Sequence, residues 1–153
     1  MHLANNFVHV GFSKCASTYL QTHLFPKHKD IMLYSKNLSG KGEKFPETSG
    51  ELTRSLVNLE TFSGLKAKHV NDLQKFIGSA QKNSKAFVWS NEHFCESVAP
   101  FFLAQNLKKL IPDAHILIVI RKQTEIVKSM YQFKGHYLEF APEPHYKKHV
   151  SFS

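Results

Sequence analysis

Apolar residues follow two alternating patterns along this chain: short continuous runs, and spacings of three or four residues. The runs predict four strands, at 7–10, 31–34, 86–89 and 115–120. Helical spacing predicts helices from Ser17 onward, over 51–62, through 70–80, over 101–110 and from Thr124 onward. The run 115–120 is apolar on both faces, which predicts a strand buried on both sides. Strands alternating with helices indicate an α/β fold, a parallel sheet flanked by helices.

The length and composition of the chain indicate a single globular domain. A chain of 153 residues can enclose a core, and 42% hydrophobic with 21% charged residues is typical of a soluble protein. Residues 35–50 are rich in Gly, Ser, Lys and Pro and predict a long exposed loop. The sequence contains no apolar run of membrane length and no signal-peptide pattern. We therefore expect a cytoplasmic protein without a membrane segment, unless an N-terminal anchor has been removed.

The charge of the chain favours an anionic partner. The formal net charge is +8, and ten histidines can add to it below neutral pH. A nucleotide, a sulfated or phosphorylated sugar, or a nucleic acid would each suit this excess. Cys15 and Cys95 predict two reduced thiols, although a bridge between them stays open. His145 and His149 lack a third ligand, so no metal site is expected.

Polar side chains follow three of the four predicted strands at the point where each strand ends. Ser13 and Lys14 follow the first strand, Ser90 and Glu92 the third, and Arg121 the fourth. In open parallel sheets, ligands bind outside the carboxyl ends of the strands. We therefore expect these side chains to meet along one edge of the sheet.

The stretch after the first strand predicts an anion site. Small residues from Gly11 to Ala16 form a loop, and Ser17 and Thr18 are good N-cap residues for the helix that follows. A loop of this kind gathers backbone N–H groups that suit a phosphate. A nucleotide triphosphatase loop reads G-x-x-x-x-G-K-[ST], and here Ser17 takes the position of its lysine while Lys14 comes earlier. The clearest predicted strand ends in Arg121 and no clear acidic Mg²⁺ ligand ends a strand, so a kinase or ATPase is disfavoured.

Three segments together resemble the PAPS-dependent sulfotransferases, which use 3′-phosphoadenosine 5′-phosphosulfate as donor. Residues 12–20, FSKCASTYL, resemble the family's 5′-phosphosulfate loop, P-K-x-G-[TS]-[TS]-x-L. Residues 118–129 are similar to its 3′-phosphate motif, in which an arginine ends a strand and a serine follows eight residues later. Residues 88–92 are similar to its S-x-E strand end. Ser13 and Ala16 stand where the family commonly has proline and glycine, and alanine resists positive φ.

The resemblance implies a P-loop NTPase-like sulfotransferase fold and a sulfuryl transfer. Residues 1–153 would form one sulfotransferase-like domain of the carbohydrate type, with the phosphosulfate loop at 11–19, the 3′-phosphate motif at 118–129, and the C-terminal part of the family domain short or missing. PAPS would be the donor and PAP (3′-phosphoadenosine 5′-phosphate) the product, without a metal. The acceptor would be a hydroxyl or amine, expected on a carbohydrate, with no nucleic-acid partner. A homo-oligomer stays open, as does a Golgi-lumenal location if an anchor was removed.

The same resemblance implies the roles of individual residues. Lys14 would stabilise the bridging oxygen and the leaving phosphate, and the general base would be Glu92, which is favoured, or its neighbour His93. Arg121 and Ser129 would bind the 3′-phosphate. The residues expected to hold the 5′-phosphosulfate are Ser13, Lys14, Cys15, Ala16, Ser17, Thr18 and Tyr19. Two other functions stay open: a non-catalytic module that binds PAP or a polyanion and, less favoured, a P-loop nucleotide kinase.

Overall fold

In a computed structural model of the protein, residues 5–12, 15–35, 48–58, 64–97 and 99–139 are described. The chain divides into two compact units, Met1–Val119 and Ile120–Ser153, and each is described by itself. Most of the loop predicted at 35–50 lies outside the described residues, as do His145 and His149.

The first unit contains a four-stranded, all-parallel sheet with strand order β2-β3-β1-β4. The strands are β1 Asn6–Gly11, β2 Ile31–Tyr34, β3 Ala86–Asn91 and β4 His115–Val119. All four predicted strands are present, and the expected α/β class with a parallel sheet flanked by helices is confirmed. Two strands run further than the apolar pattern indicates, because polar residues continue the ladder: Asn6 pairs with Phe87, and Asn91 with Val10.

The helices follow the predicted order. The segment after β1 begins with one α-helical turn over Ser17–Tyr19. It continues as a π-helix over Leu20–Leu24 and ends as a 3₁₀ turn over Phe25–Lys27. A further 3₁₀ turn, Glu92–Glu96, directly follows β3. The α-helices are α1 Ser17–Tyr19, α2 Thr48–Asn58, α3 Ala67–Lys82, α4 Pro100–Leu110 and α5 Gln123–Glu139.

Side chains alternate between the two faces of the sheet, and each face packs against its own set of helices. The face that carries Val8 and Trp89 packs against α2, α3 and α4 in the larger core. The face that carries Leu33 and Val88 packs against Phe25, at the end of the helical segment after β1. The larger core includes Leu52, Leu56, Leu73, Ile77, Phe94, Leu103 and Leu107. Helical spacing of three or four residues is what brings these side chains to the sheet.

Strand β4 is present but is not buried as its sequence predicts. Ile116, Leu117 and Ile118 are all exposed, Ile116 by 54%. β4 is an edge strand that pairs with β1 alone among the described strands, and none of its residues belongs to either buried core cluster. An apolar run therefore predicted the strand correctly and its burial wrongly.

The starts of two helices also differ from the prediction. Ala16 is the N-cap of α1, and no side chain makes a capping hydrogen bond there. Helix α5 begins at Gln123, so Thr124 lies inside its first turn. At these two helix starts the predicted hydroxyl residues are therefore not caps, and Ser17 is used in another way.

Candidate anion site at the carboxyl edge of the sheet

Strand β1 ends between β3 and β4, at the edge of the sheet where the sequence predicts a site. Val10 of β1 pairs with Asn91, the last residue of β3, and Gly11 pairs with Val119, the last residue of β4. The segment leaving β1 therefore starts next to Glu92, which directly follows β3. The parallel sheet brings together two stretches that are about eighty residues apart in the sequence.

The β1–α1 loop spans residues 12–16, and among its described residues Ala16 is strained. Ser13 and Lys14 lie outside the described residues. The Cys15 backbone N–H donates to the Phe12 carbonyl at 3.1 Å, which closes the turn. Ala16 has φ 64° and ψ 17°, the left-handed conformation that alanine disfavours and glycine accepts. The Cys15 amide is thus engaged inside the loop, and a bound phosphate would compete for it.

Gly11 is required by the close return of the chain at Ser17. A Cβ atom on Gly11 would overlap the Ser17 hydroxyl and would lie 3.2 Å from Cε1 of His9. The Ser17 side chain is buried, and its hydroxyl donates to the Phe12 carbonyl at 3.4 Å. Ser17 therefore braces the loop from inside and is not the predicted helix cap, while its predicted contact with the 5′-phosphosulfate stays a prediction.

Thr18 and Tyr19 lie on the outer side of α1. Thr18 is exposed, and its carbonyl accepts a hydrogen bond from the Thr22 hydroxyl at 2.7 Å. Tyr19 is 62% exposed, and its ring lies 5.0 Å from that of His23 between centroids. Both side chains are accessible to a ligand.

A buried polar cluster lies beneath the loop, and sequence reasoning assigned it no role. His9 of β1 and Ser90 of β3 are cross-strand partners, with Nδ1 of His9 2.7 Å from the Ser90 hydroxyl oxygen. The Gln21 side-chain amide donates to that oxygen at 2.9 Å. His9 and Ser90 are fully buried, and Gln21 is 4% exposed. The signal in the sequence is a histidine inside an apolar strand, but its partner is 81 residues away.

The His9 ring is held neutral by its surroundings. Desolvation by burial lowers the pKa of His9 from its ordinary value of 6.5, because a buried imidazolium loses its hydration. The Phe25 ring packs edge-on against the imidazole at 5.7 Å. A neutral imidazole has one N–H donor and one acceptor nitrogen.

Glu92 and His93, the candidate bases, belong to the 3₁₀ turn that follows β3. Asn91 is buried, and its side-chain oxygen accepts the His93 backbone N–H at 3.0 Å. This cap fixes the direction in which the chain leaves the strand. Glu92 is half-buried and His93 is exposed. Both candidates therefore lie at the carboxyl end of β3, one residue apart.

Arg121 and Ser129 belong to the second unit. Arg121 lies just before α5, and its guanidinium is 3.7 Å from the Glu125 carboxylate, one helical turn along the chain. Its side chain is about half exposed, and Ser129 is half-buried on α5. Arg121 therefore lies between the end of β4 and the start of α5 in the sequence, and Ser129 lies in the second turn of α5.

An apolar cavity of about 320 Å³ lies on the other face of the sheet from His9. Residues of α4 and β4 line it together with Val10 and Phe94, and Lys108 is its charged member. A sugar needs many hydrogen-bond partners, and this lining offers few. The cavity is therefore not part of the candidate anion site.

Several further features of the described residues bear on cofactors and location. No disulfide joins Cys15 and Cys95. Within the described ranges, no group of three His, Cys, Asp or Glu side chains is arranged to hold a metal ion. None of the helices in those ranges combines the length and the apolar character that crossing a bilayer requires.

No family model matches the chain, and no curated protein or solved structure matches it either. The candidate site therefore rests on the residues and their geometry.

Proposed function

We propose that this protein is a sulfotransferase that moves a sulfuryl group from PAPS to a hydroxyl or amine of a carbohydrate. One observation carries the proposal. The carboxyl ends of β1 and β3 are in register, so the β1–α1 loop and Glu92 begin at neighbouring points of one sheet edge. A group transfer of this kind needs a donor-binding loop and a base close together.

The proposed step is an in-line displacement at sulfur. The acceptor oxygen or nitrogen forms a bond to sulfur, while the bond from sulfur to the bridging oxygen of the phosphosulfate breaks. PAP leaves with the electron pair of that bond, and Lys14 neutralises the charge that develops on the leaving oxygen. The acceptor proton passes to a general base. The sulfur keeps its oxidation state, so the reaction needs no redox partner.

Glu92 is the base that we favour, and His93 is the alternative. Glu92 directly follows the capped end of β3 and is half-buried, so its carboxylate lies where the rigid strand gives way to the turn. His93 is more exposed. Both residues belong to the same turn, and a half-buried base is held in place by its surroundings better than an exposed one.

The 5′-phosphate would be held by the β1–α1 loop and the start of α1, with Thr18 and Tyr19 accessible there and Ser17 bracing the loop. Arg121 and Ser129 would bind the 3′-phosphate, by the resemblance of residues 118–129 to the family motif. Arginine suits this role because its planar guanidinium can donate two parallel hydrogen bonds to phosphate oxygens.

The proposal is tested by ligand-dependent thermal stability. At one hundred times its dissociation constant, PAP without Mg²⁺ should raise the melting temperature by roughly 5–10 °C, since a ligand that binds only the folded state stabilises it by mass action. ATP with Mg²⁺ should give a smaller shift. A larger shift with ATP and Mg²⁺ would favour a kinase, and no shift with PAP would contradict the proposal.

Sulfuryl transfer itself is tested with the Lys14→Ala variant. We expect turnover from PAPS to a panel of carbohydrate acceptors to fall below detection, because the leaving phosphate loses its cation. Lys29→Ala is the matched control: it removes the same charge from an exposed turn that precedes β2, at the opposite edge of the sheet. PAP binding without any Lys14-dependent transfer would identify a non-catalytic binding module.

A further inference from the structure

Nε2 of His9 is a fully buried polar atom without a hydrogen-bond partner among the described residues. A buried polar atom left unpaired destabilises a protein by about 1–3 kcal/mol, so such atoms call for an explanation. His9 lies on the central strand β1, two residues before the loop that we propose binds the donor. The unpaired nitrogen is therefore a candidate for a ligand contact.

Counting the hydrogen bonds around Ser90 assigns the proton on the His9 ring. The Ser90 hydroxyl accepts from Gln21 and has a single proton to donate. Nδ1 of His9 is its acceptor at 2.7 Å, and the described residues offer it no other. A neutral ring that accepts at Nδ1 carries its own proton on Nε2. The unpaired atom is then an N–H donor.

The His9 ring lies close to Gly11, the residue that directly precedes the loop. Cε1, the carbon between the two nitrogens, lies 3.2 Å from the position that a Cβ on Gly11 would occupy, and the Ser17 hydroxyl touches the same position. Gly11 lies beyond His9 in the direction of the carboxyl edge. Cε1 is bonded to both ring nitrogens, so this approach places the distal part of the ring, which includes Nε2, next to the residue that directly precedes the loop.

We infer that His9 is an additional anion-binding residue, whose Nε2–H donates to an oxygen of the phosphate or sulfate group held by the β1–α1 loop, directly or through one water molecule. The inference rests on the proposed function for the identity of the donor. The chemistry that it requires is more general: a tetrahedral oxyanion with an acceptor oxygen near the end of β1. Ser90 and Gln21 are positioning residues, because they act on the anion through the ring.

The first test uses the wild-type protein labelled with ¹⁵N on histidine. Long-range ¹H–¹⁵N spectra at pH 7 should show His9 as the neutral tautomer with its proton on Nε2. Addition of PAP should shift the His9 Nε2 resonance and leave that of His69 unchanged. His69 is a matched reference in the same unit: it is also buried, it has an unpaired Nδ1, and its Nε2 lies 2.9 Å from the Glu51 carboxylate on α2. An Nδ1–H tautomer, or a PAP-induced shift no larger at His9 than at His69, would overturn the inference.

The second test measures PAP binding by calorimetry in a set of variants. A glutamine side chain can place an N–H near the position of Nε2, whereas an asparagine reaches only to that of Nδ1. His9→Gln should therefore keep the affinity within about threefold, and His9→Asn and His9→Phe should weaken it by roughly 10- to 100-fold, the worth of a hydrogen bond to a charged group. His69→Phe should change the affinity for PAP less than about twofold. Equal affinity in wild type and His9→Asn would overturn the inference.

The outcomes separate this inference from the proposed function. PAP binding that does not depend on His9 leaves the sulfotransferase proposal standing and overturns the role of His9. Binding of pyrophosphate or sulfate that depends on His9, with none of PAP, supports the role of His9 and contradicts the sulfotransferase proposal. A wild-type protein that binds none of the three anions overturns both.

Discussion

Ala16 adopts a backbone conformation that its side chain opposes. The left-handed region disfavours residues with a Cβ by roughly 1–2 kcal/mol, and Ala16 has φ 64° at the point where the β1–α1 loop turns into α1. The Cys15 N–H and the Ser17 hydroxyl both donate to the Phe12 carbonyl, and these bonds tie the start of α1 back to the end of β1. Strain in a loop that we propose binds the donor is typical of functional sites.

Replacing Ala16 with glycine should relieve this strain. We expect Ala16→Gly to raise the free energy of unfolding by about 1 kcal/mol, because the relief exceeds the extra entropy of glycine in the unfolded chain. Denaturant titration measures the change. The same substitution removes a methyl group beside the proposed phosphate, so PAP should bind the variant at least as tightly as wild type.

Ser84 provides the matched control for that prediction. It also has a positive φ, 53°, but it lies in the exposed turn after α3. Ser84→Gly should stabilise the protein by a similar amount and leave PAP binding unchanged. A loss of stability in Ala16→Gly would mean that the Cβ of Ala16 makes contacts that outweigh its strain.

At the scale of single elements, β3 links the core to the candidate site. It is a central strand that pairs with β1 and β2, and Val88, Trp89, Ser90 and Asn91 are all buried. Trp89 packs edge-on against Tyr34 and Phe94. One residue further along, Ser90 turns to the opposite face and contacts His9. A strand anchored in this way holds Ser90, Asn91 and the start of the Glu92–Glu96 turn in a fixed position.

A buried hydrogen bond between Trp89 of β3 and Thr53 of α2 allows the contribution of this anchoring to stability to be measured. The Trp89 indole N–H donates to the Thr53 hydroxyl at 3.3 Å, and that hydroxyl donates to the Ser49 carbonyl at 2.9 Å. Thr53→Val keeps the shape and removes both bonds, so we expect a loss of about 1–3 kcal/mol in the free energy of unfolding. Trp89 is the one tryptophan of the chain, so its fluorescence reports the unfolding transition.

Thr22→Val is the control for this substitution. The Thr22 hydroxyl also donates to a backbone carbonyl, that of Thr18, but the bond is exposed to solvent. Water can replace it, so the change in stability should stay within about 0.5 kcal/mol. Equal losses in the free energy of unfolding for the two substitutions would show that burial of the Trp89–Thr53 hydrogen bond does not increase its contribution to stability.

The stability of the whole molecule should depend on pH through the buried histidine. The chain carries a net charge of +8, and protonation of its ten histidines raises that charge below neutral pH. Burial lowers the pKa of His9 below the ordinary 6.5, and its described neighbours Ser90, Gln21 and Phe25 carry no charge.

Below pH 6.5 the unfolded chain therefore binds a proton at His9 that the folded protein does not bind. The free energy of unfolding should fall as the pH drops from about 6.5 toward the lowered pKa of the folded state, and this contribution should level off below it. His9→Gln does not titrate, so its stability should fall less steeply between pH 7 and pH 5, whatever its absolute value. If the free energy of unfolding fell equally steeply with pH in the wild type and in His9→Gln, the prediction would be wrong.

The elements of this fold are readable from the sequence because they depend on local patterns. The run Ile31–Tyr34 is the observed β2, and the apolar spacing through Val70 and Ala80 lies within α3. The convergence of the loop after β1 with the residues after β3 also follows from the sequence, since parallel strands bring their carboxyl ends to one edge. The loop residues Ser13 and Lys14 lie outside the described residues, so their roles stay predictions.

By itself the sequence determined the α/β class, the four strands, the helices and the edge of the sheet at which polar residues gather, because periodicity and strand ends are local features. Only the tertiary structure decided which strands are neighbours. That order pairs His9 with Ser90 and places β4 at an edge of the sheet, and the backbone geometry of the loop brings Ser17 to the Phe12 carbonyl. Each of these outcomes depends on contacts between residues distant in the chain or on backbone geometry that no spacing of residue types records. The loop after β1 is visible in the sequence, whereas His9 becomes a candidate anion-binding residue only once its pairing with Ser90 is known.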